Sequence, residues 1–465
     1  MRLRLATCAL VLLALSAAPQ RAAHATAYGS MFSGPTTGDA ASVLWNPAAM
    51  TLLRGTAAHL YGGMSVIRLQ YQRTTINPFS NAQYPQADLF TLKPDIMLGF
   101  VTDATLSRFR FGVGFNIPIL DGAKWDETYA GQGASTRYFA LGARQAHFVI
   151  RPAVAFKINK YISVGVGLDI TVVQLLHEAM TDFSAKINQI ACRSDPSNCQ
   201  TDAPLVRENP QFDARTNISG IGVGVGVSGG VLITPLPWLR IGASIASGAR
   251  DVSVKSDITI QLPQTVVDYV GTNFPSIALP KLAAEGEVVS HNPLTIALGI
   301  AVNPIKNLEL AVDWHWAQKS KMSALYGNIQ NTTSELIGDQ VLIKILSDDW
   351  LLGFRAQYRV LPWLVVGTRF EADPNARPEA FMTPVSIDVD KYQLILGASI
   401  RATRWLTVTA EYGHYFLLSR EIRQSNFAPN ANPTEPVTQG FDKPYPLGRY
   451  TTQTDRFAVS LNFGF

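Results

Sequence analysis

Three residues of one short segment have side chains that can do acid–base or metal chemistry. Glu309, Asp313 and His315 share one parity of an alternating run, so a strand would place all three on one face. Carboxylates beside an imidazole can exchange protons, and the same groups can bind a metal ion. In a membrane barrel, however, polar side chains on the inner face are the ordinary lining of the lumen. We therefore predict lumen residues here and no metal site.

A second motif formally matches a nucleotide-binding fingerprint. Gly224, Gly226 and Gly229 satisfy the GxGxxG spacing, but they stand inside an alternating run over residues 221–233 and not at a strand-to-helix turn. We expect the inward-parity glycines, which include Gly222, to leave room inside a barrel for a plug or a ligand. The sequence contains no recognisable phospholipase or protease constellation, so neither an enzyme nor a cofactor is predicted.

Charged residues recur on the inward parity of several runs. Most of them are expected to pair with one another or with a plug, because buried charges must be paired or hydrated. A guanidinium also binds a carboxylate through two parallel hydrogen bonds, so some arginines are candidates for holding the carboxylate of an amphipathic ligand. The candidates are Arg151, Arg355, Arg369 and Arg401.

The composition indicates a membrane setting for these strands. Charged residues make up 16% of the 465 residues, against roughly 25% in typical soluble domains. The chain has 8 Trp, 15 Tyr, 22 Phe and 35 Gly. After the leader no apolar stretch reaches about 18 residues, so membrane-spanning helices are not predicted and strands must do the crossing. The formal net charge of +4 gives no indication of a nucleic-acid partner.

The N-terminus resembles a secretory signal. Arg2 and Arg4 precede an apolar run over residues 5–18 and then small residues, so we predict a signal peptide over residues 1–25. Export would place the protein in an oxidising compartment, which matters for its cysteines.

Two cysteines remain after removal of the leader. Cys192 and Cys199 are seven positions apart in a polar segment, and in an exported protein this predicts a local disulfide that pins a loop. A metal site would need further ligands, and the nearest histidine is His177, some 15 residues upstream of Cys192.

The rest of the chain alternates with the period of a strand. In residues 161–172 the apolar side chains have one parity and small or polar side chains the other, and residues 147–158 repeat the pattern. Six short connections alternate with seven long polar ones. The short ones are residues 102–108, 159–160, 234–238, 303–307, 360–363 and 402–404, and the long ones are residues 74–89, 121–144, 177–216, 257–292, 321–348, 373–390 and 419–454.

Thirteen connections imply fourteen strands with both ends on the short-turn side, as in outer-membrane barrels. We therefore predict an all-β protein, a transmembrane antiparallel β-barrel of 14 strands over residues 56–465. The final run, residues 456–465, ends at Phe465, and a terminal aromatic residue resembles the signal that barrel-assembly machinery recognises. We expect a Gram-negative outer membrane as the location, with its lipid and its assembly machinery as partners.

One segment, residues 38–50, fits neither the leader nor the strands. Its Asn–Pro step favours an extended or turn conformation and blocks a continuing helix. The segment resembles the acidic and small-residue run and the NPA motif of the FadL family, which transports long-chain fatty acids and hydrocarbons across the outer membrane. The glycine-rich residues 111–120 and 239–248 support the resemblance. The segment residues that carry it are Asp39, Ser42, Asn46, Pro47 and Ala48.

The resemblance implies a mechanism. Family members close a fourteen-stranded barrel with an N-terminal hatch, which we place at residues 26–55. The motif of Asn46, Pro47 and Ala48 either seals and buttresses the barrel or belongs to a movable hatch that controls ligand passage. They hold an apolar ligand inside the barrel and release it sideways through a kink in the third strand. In that strand Pro118 has no backbone N–H to donate to a neighbouring strand, and Gly112 and Gly114 make the nearby backbone more flexible.

The predicted function is a passive outer-membrane channel for hydrophobic small molecules. Long-chain fatty acids are the default ligand, with aromatic hydrocarbons or other lipids close behind. The alternative is a non-transporting barrel, such as an adhesin, a phage receptor or a structural protein. A general porin is disfavoured, because the N-terminal segment is available to block the lumen.

Overall fold

The computed structural model describes residues 29–139, 141–194, 205–249, 252–275, 279, 283–322, 324–329, 340–343, 346–384, 387–425 and 446–465. Over these residues the chain forms a closed antiparallel barrel of fourteen wall strands, which confirms the predicted fold class. None of the described helices is long and apolar enough to span a membrane. The predicted signal peptide lies outside the described residues.

Several wall strands are interrupted, and β2 with β3 and β6 with β7 form two separate two-stranded sheets, so the described strands number more than fourteen. They are β1 Thr56–Arg73, β2 Ile76–Asn77, β3 Ala82–Gln83, β4 Ala87–Thr102, β5 Phe109–Lys124, β6 Thr128–Tyr129, β7 Gln132–Gly133, β8 Gly142–Lys157, β9 Ile162–Asp182, β10 Asp213–Leu236, β11 Leu239–Ala246, β12 Val252–Gln261, β13 Ala283–Ser290, β14 Thr295–Ile305, β15 Leu308–Ala317, β16 Ala324–Ile329, β17 Gln340–Ile343, β18 Asp349–Leu361, β19 Leu364–Asp373, β20 Lys391–Arg401, β21 Leu406–Leu417, β22 Arg420–Ile422 and β23 Gly448–Gly464. The helices are α1 Ser42–Trp45, α2 Phe183–Ser194 and α3 Gln264–Asn273, and the 3₁₀-helices are Pro47–Leu52, Pro210–Phe212, Lys319–Met322 and Glu379–Phe381.

The wall runs once around the lumen and closes on itself. Some wall strands consist of two successive segments, which are joined by "with" in the following order. The order is β1, β4, β5, β8, β9, β10, β11 with β12, β14 with β13, β15 with β16, β18 with β17, β19, β20, β21 with β22, and β23. β1 then pairs with β23 in a register from Ala57↔Gly464 to Arg73↔Gly448, which closes the ring. Closure leaves no sheet edge facing lipid, where unsatisfied backbone groups would be costly.

The predicted alternation is present, with the apolar face outward. On β9, Val166 and Leu168 are exposed by 60% and 42%, whereas the neighbouring Asp169 and Thr171 are buried in the lumen. An exposed apolar face is stable only against lipid, so this arrangement fits a membrane and not water. All six predicted short connections separate consecutive wall strands.

Several predicted long connections are too long, because strands continue inside them. The predicted loop 177–216 includes the end of β9 and the start of β10, and the predicted loop 257–292 includes the end of β12, α3 and β13. On β12 the alternation is reversed: Val254 and Ile258 are buried while Lys255 is exposed. These strand ends pack inward on an apolar cluster that also contains residues of α2 and α3, so their outer face is polar.

The N-terminal segment, residues 29–55, lies inside the barrel. Its buried residues Val43, Leu44 and Met50 pack in one cluster with Tyr61 of β1 and Met97 of β4. Its 3₁₀-helix also contacts β5, β8, β9 and β10. The segment therefore fills the lumen on the short-turn side of the barrel.

The wall opens between β4 and β5. Their pairing runs from Thr102↔Phe111 to Met97↔Asn116 and ends there, although β4 continues along β1 as far as Ala87. β5 instead stays paired with β8, with a register shift between Asn116 and Ile119. The extra residue in β5 turns this strand away from β4, as a β-bulge does.

A second interruption lies on the other side of the lumen. β11 ends at Ala246 and β12 begins at Val252, and β13 and β14 are separated in the same way between Ser290 and Thr295. Between these breaks the backbone nitrogen of Asn292 donates to the carbonyl oxygen of Ala249 over 2.8 Å. The wall is bent inward here.

Candidate functional site

Asn46 joins two parts of the N-terminal segment to the wall. Its backbone is extended, with φ −154° and ψ 101°, as expected before a proline. The Oδ1 atom accepts from the backbone nitrogen of Ala48 at 3.1 Å, which caps the 3₁₀-helix that Pro47 begins. The Nδ2 atom donates to the carbonyl oxygens of Pro35 at 2.9 Å and Val231 at 3.0 Å. Both donor hydrogens of this buried amide and one acceptor position of its oxygen are therefore used in holding the segment.

Asp39 organises the turn that leads into α1. One carboxylate oxygen accepts from the backbone nitrogen of Ser42 at 3.1 Å, and the other accepts from the hydroxyl of Ser33 at 2.7 Å. The hydroxyl of Ser42 returns a bond to the carbonyl oxygen of Asp39 at 2.6 Å. The predicted residues Asp39, Ser42, Asn46, Pro47 and Ala48 thus come together in one compact unit.

Inward glycines of the wall let this unit approach the strands. A Cβ atom at Gly165 of β9 would lie 2.5 Å from the backbone nitrogen of Ala48, and one at Gly230 of β10 would collide with Oδ1 of Asn46. Gly112 and Gly114 of β5 face Met50 and Leu44 in the same way, with a Cβ atom falling 2.7 Å and 2.6 Å from them. The two β5 glycines therefore provide space for the N-terminal segment in addition to any effect on the strand.

The glycines of the GxGxxG run have different neighbours. Gly222 and Gly224 face Val252, and Gly226 faces the backbone of Gly248. They make room for the inward-bent chain between β11 and β12. The expectation of a plug or a ligand at these glycines is wrong, because the wall itself occupies the space.

Lumen arginines hold the N-terminal segment through its carbonyl groups. Arg355 donates to the carbonyl oxygen of Phe32, and Arg369 donates to that of Ser33 over 2.9 Å. Further donor and acceptor pairs are Arg151 with Leu44 at 2.6 Å, Arg110 with Leu53 at 2.7 Å and Arg456 with Gly29 at 3.4 Å. Arg401 is exposed at the short-turn end of β20 and is not brought to the other three ligand candidates.

A cavity of about 150 Å³ lies between α1 and the wall. The floor is formed by Leu44, Trp45 and Pro47 of the N-terminal segment, and one side by Pro118 and Ile119 of the β5 bulge. The opposite side comes from the second wall interruption. Its lining residues there are Ile245, Ala246, Gly248, Asn292, Pro293 and Thr295. The cavity therefore reaches both interruptions of the wall.

The two cations around the cavity in the described residues are already paired. Arg151 binds both carboxylate oxygens of Asp169, with Nη2 to Oδ2 at 2.8 Å. Lys319 is ion-paired with Asp349, and both side chains are buried. An anionic ligand would have to compete with these carboxylates. The arrangement favours an uncharged ligand.

His315 is the member of the predicted acid–base trio that reaches the cavity. Its ring packs edge-on against Trp45 at 4.9 Å between centroids. Asp313 is fully buried beside Arg369 at 3.5 Å, and Glu309 pairs with Arg240. The three residues therefore have separate partners, and no group of three or more His, Cys, Asp or Glu side chains in the described part of the chain could hold a metal ion.

Comparison with known proteins identifies the family. The family model "Outer membrane protein transport protein (OMPP1/FadL/TodX)" matches residues 9–463. The chain belongs to this family. It is therefore an outer-membrane barrel for hydrophobic compounds, as predicted from the sequence. No curated protein matches the sequence closely enough to count as a relative.

Solved structures of FadL-type proteins have the same fold. A Pseudomonas aeruginosa FadL homologue is 18% identical, with a TM-score of 0.75 over 96% of this chain and 98% of its own. The P. putida toluene transporter TodX is 13% identical, with a TM-score of 0.66 over 96% and 99%. The CymD monoaromatic hydrocarbon channel is 16% identical, with a TM-score of 0.56 over 96% and 98%.

Sequence reasoning missed a buried polar network in this FadL-family barrel. His147 of β8 contacts Asn292 through Nδ1, and Nδ2 of Asn292 donates to the hydroxyl of Thr171 at 3.1 Å. Because His147 stands opposite Ile119, the network connects the β5 bulge with the second interruption. The sequence pattern did not mark Asn292 as a lumen residue, because it falls in the predicted loop 257–292. Cys199 lies outside the described residues, and with it the predicted disulfide to Cys192.

Proposed function

We propose that this FadL-family member is a passive channel that takes hydrophobic compounds into the cavity and releases them sideways between β4 and β5. The observation that carries the proposal is the position of the β5 bulge. Pro118 and Ile119 line the cavity, and they lie two and three residues after Asn116, where pairing with β4 ends. A ligand in the cavity thus lies beside a stretch of wall where β4 and β5 are not hydrogen-bonded to each other. The lipid outside this stretch is the nearest apolar phase.

In this proposal the N-terminal segment is the hatch. It forms the cavity floor, and hydrogen bonds with the wall, such as the one that Asn46 donates to Val231, hold it in the lumen on the short-turn side. Sideways release would not require the whole segment to leave, because the β4–β5 opening lies at the side of the cavity. Outer-membrane lipid is then both the surroundings of the barrel and the destination of the ligand. Barrel-assembly machinery remains the proposed partner during biogenesis.

For the ligand we propose an uncharged compound of about one aromatic ring. A cavity of about 150 Å³ matches the size of cavity that admits benzene in an apolar protein interior. The cavity cations already have carboxylate partners. The names of CymD and TodX, which mention monoaromatic hydrocarbons and toluene, point the same way. Long-chain fatty acids are the second candidate and would require the chain to extend beyond this cavity.

Deletion of Pro118 tests sideways release. The deletion removes one residue from the stretch where β5 has gained one relative to β8, so it should let β5 run straight beside β4. Pro118→Ala, which keeps the residue count, is the matched control. In cells, uptake of radiolabelled toluene should fall to the level of a strain without the protein in the deletion variant and persist in the control.

Normal uptake by a correctly folded deletion variant would rule out this exit. Mass spectrometry of ligand retained by the purified protein separates the ligand classes. Recovery of fatty acids would show that they, and not a ring-sized compound, are the ligand. An empty barrel without uptake of either class would leave the non-transporting alternative, an adhesin, a phage receptor or a structural protein.

A further inference from the structure

Four neighbouring wall strands stop on one row of residues at the second interruption. β11 ends at Ala246, which pairs with Thr295, the first residue of β14. Thr295 pairs in turn with Ala317, the last residue of β15, and Ala317 pairs with Asp349, the first residue of β18. The wall continues beyond this row in β12, β13, β16 and β17, each separated by a break from the strand below the row. The four breaks lie side by side and leave a gap in the wall, about 14 Å wide at the usual strand spacing of about 4.8 Å.

The chain that would fill this gap has moved to the lumen side. On β10, pairing with β11 stops at Ser228 and pairing with β12 starts at Ile221, so the residues between them have no strand partner on that side in the described structure. A Cβ atom on Gly226 would lie 2.4 Å from the carbonyl oxygen of Gly248, which places the displaced chain against the inner face of β10. The gap is therefore covered from inside, and its outer side is a recess.

The recess lies at the level of the lipid. Below it, Ile245 of β11 and Trp350 of β18 are exposed on the outer face, and Val225 of β10 is exposed beside it. Above it the outer face turns polar, since the exposed residues Lys255 of β12 and Glu287 of β13 stand opposite each other. In outer-membrane barrels an apolar outer band meets the lipid chains, and polar residues lie beyond it. The recess therefore opens among the acyl chains, close to their headgroups.

The cavity reaches this recess from the lumen. Its lining includes the last three residues of β11, the first residue of β14 and the last three residues of β15, namely residues 244–246, Thr295 and residues 315–317. The outward-facing Ile245 is one of them. Asn292 and Pro293, in the break between β13 and β14, also belong to the lining. The rim of the gap is thus also a border of the cavity.

We propose that one acyl chain of the surrounding membrane lipid inserts into the gap and forms the missing part of the cavity wall. An empty recess would forfeit the contacts of its apolar rim, and a water-filled one would keep Ile245 and Val225 against water. A hydrocarbon chain avoids both costs, and the lipid that covers the neighbouring outer face supplies it. The end of the chain would meet Asn292 and Pro293.

The lipid site goes beyond the proposed function and does not depend on it. One consequence alone rests on the proposed channel, because a chain held in the gap closes this side of the cavity and leaves the ligand to depart between β4 and β5. The two wall interruptions then have different roles, although both border the same cavity.

Photolabelling from the lipid tests the site. The full-length protein is placed in phosphatidylcholine nanodiscs in which one acyl chain of the lipid ends in a diazirine, and labelled residues are mapped by mass spectrometry after irradiation. In the wild type we expect label on Asn292 or Pro293 as well as on outward-facing residues such as Val225. Ile245→Trp and Thr295→Trp each place an aromatic ring at the rim of the gap. Both variants should lose the label on Asn292 and Pro293 and keep it on Val225.

Ile241→Trp is the matched control. Ile241 is also an exposed residue of β11, but it does not line the cavity, so this variant should be labelled like the wild type. The Pro118 deletion should also keep the label on Pro293, because it changes the other interruption of the wall.

Label confined to outward-facing residues in the wild type, or label on Pro293 that survives in both rim variants, overturns the lipid site and leaves release between β4 and β5 standing. Loss of the label in the Pro118 deletion overturns it as well, since the chain would then enter between β4 and β5. A wild type that is labelled at Pro293 and takes up no toluene keeps the lipid site and refutes the channel.

Discussion

The side-chain amide of Asn46 donates to the carbonyl oxygen of Val231 over 3.0 Å and so ties the N-terminal segment to β10. The same amide holds Pro35 and caps the helix that starts at Pro47. One residue of the NPA motif therefore fixes both the internal shape of the segment and its position against the wall.

Asn46→Ala should loosen the segment without unfolding the barrel. The change leaves the buried carbonyl groups of Pro35 and Val231 and the amide of Ala48 without this partner, at about 1–3 kcal/mol for each group left unsatisfied. We expect faster hydrogen exchange over residues 29–55 and a raised ion conductance in planar bilayers. Unchanged exchange in this segment would contradict the assigned role of the amide.

Gly165→Ala on β9, the strand next to β10, should displace the same segment from the wall. The new methyl group would collide with the backbone around Pro47 and Ala48, which cannot move aside as a flexible side chain could. We expect limited proteolysis to cut the segment more readily than in the wild type. Gly62→Ala is the control, because a Cβ atom there meets nothing within 4 Å and the residue faces outward. Equal protection of both variants would argue against close packing at β9.

Arg369 and Arg401 provide a matched pair for the role of lumen cations. Arg369→Met removes the cation beside the buried carboxylates of Asp313 and Glu371, so it should destabilise the barrel by about 3–5 kcal/mol. Arg401→Met should change the stability by less than about 0.5 kcal/mol, because the side chain is exposed. Urea unfolding in detergent micelles measures both. Similar midpoints for the two variants would show that the Arg369 contacts contribute little.

Asp103 makes the junction between the segment and the wall sensitive to acid. It lies in the turn after β4, and its carboxylate accepts from the backbone nitrogen of Gly55 at 2.8 Å. This bond, with a second from Thr105, lowers the pKa of Asp103 below its ordinary value. The stabilisation is therefore present above the ordinary pKa of about 3.9 and is lost as the pH falls through the lower folded value.

Asp103→Asn should remove this dependence. Hydrogen exchange at Gly55, corrected for the intrinsic effect of pH, should increase in the wild type on acidification below about pH 4. In the variant the corrected rate should already be raised at neutral pH and change less with acid. A wild-type rate that does not respond to acid would exclude Asp103 as the cause.

The strand count and the irregular conformation of the N-terminal segment could be predicted because both depend on local rules. Alternation identified the outward face of β9, and the Asn46–Pro47 step predicted a break in regular structure. The reversed pattern of β12 could not be read in this way, since the apolar side chains of Ile258 and Ile260 turn inward on α2 and α3 above the lipid-facing part of the wall.

The function of individual lumen residues was less predictable. Arg151 and Arg369 have the same parity and chemistry in the sequence, yet only Arg151 lines the cavity, while Arg369 donates to Ser33 and pairs with Glu371. Which carbonyl or carboxylate meets each guanidinium depends on how the N-terminal segment crosses the lumen. Contacts between residues more than 300 positions apart leave no mark on a single sequence.

The pairing of β1 with β23 has a consequence for the order of folding. Thr56 and Phe465 exchange two backbone hydrogen bonds, at 3.2 Å and 2.8 Å, although they begin and end the barrel. The seam between them can form only after β23 has been translated and exported. Until then two strand edges remain open, and loop closure over the whole barrel makes the final step slow. Loss of the last strand would therefore leave a sheet that cannot close and is prone to aggregation.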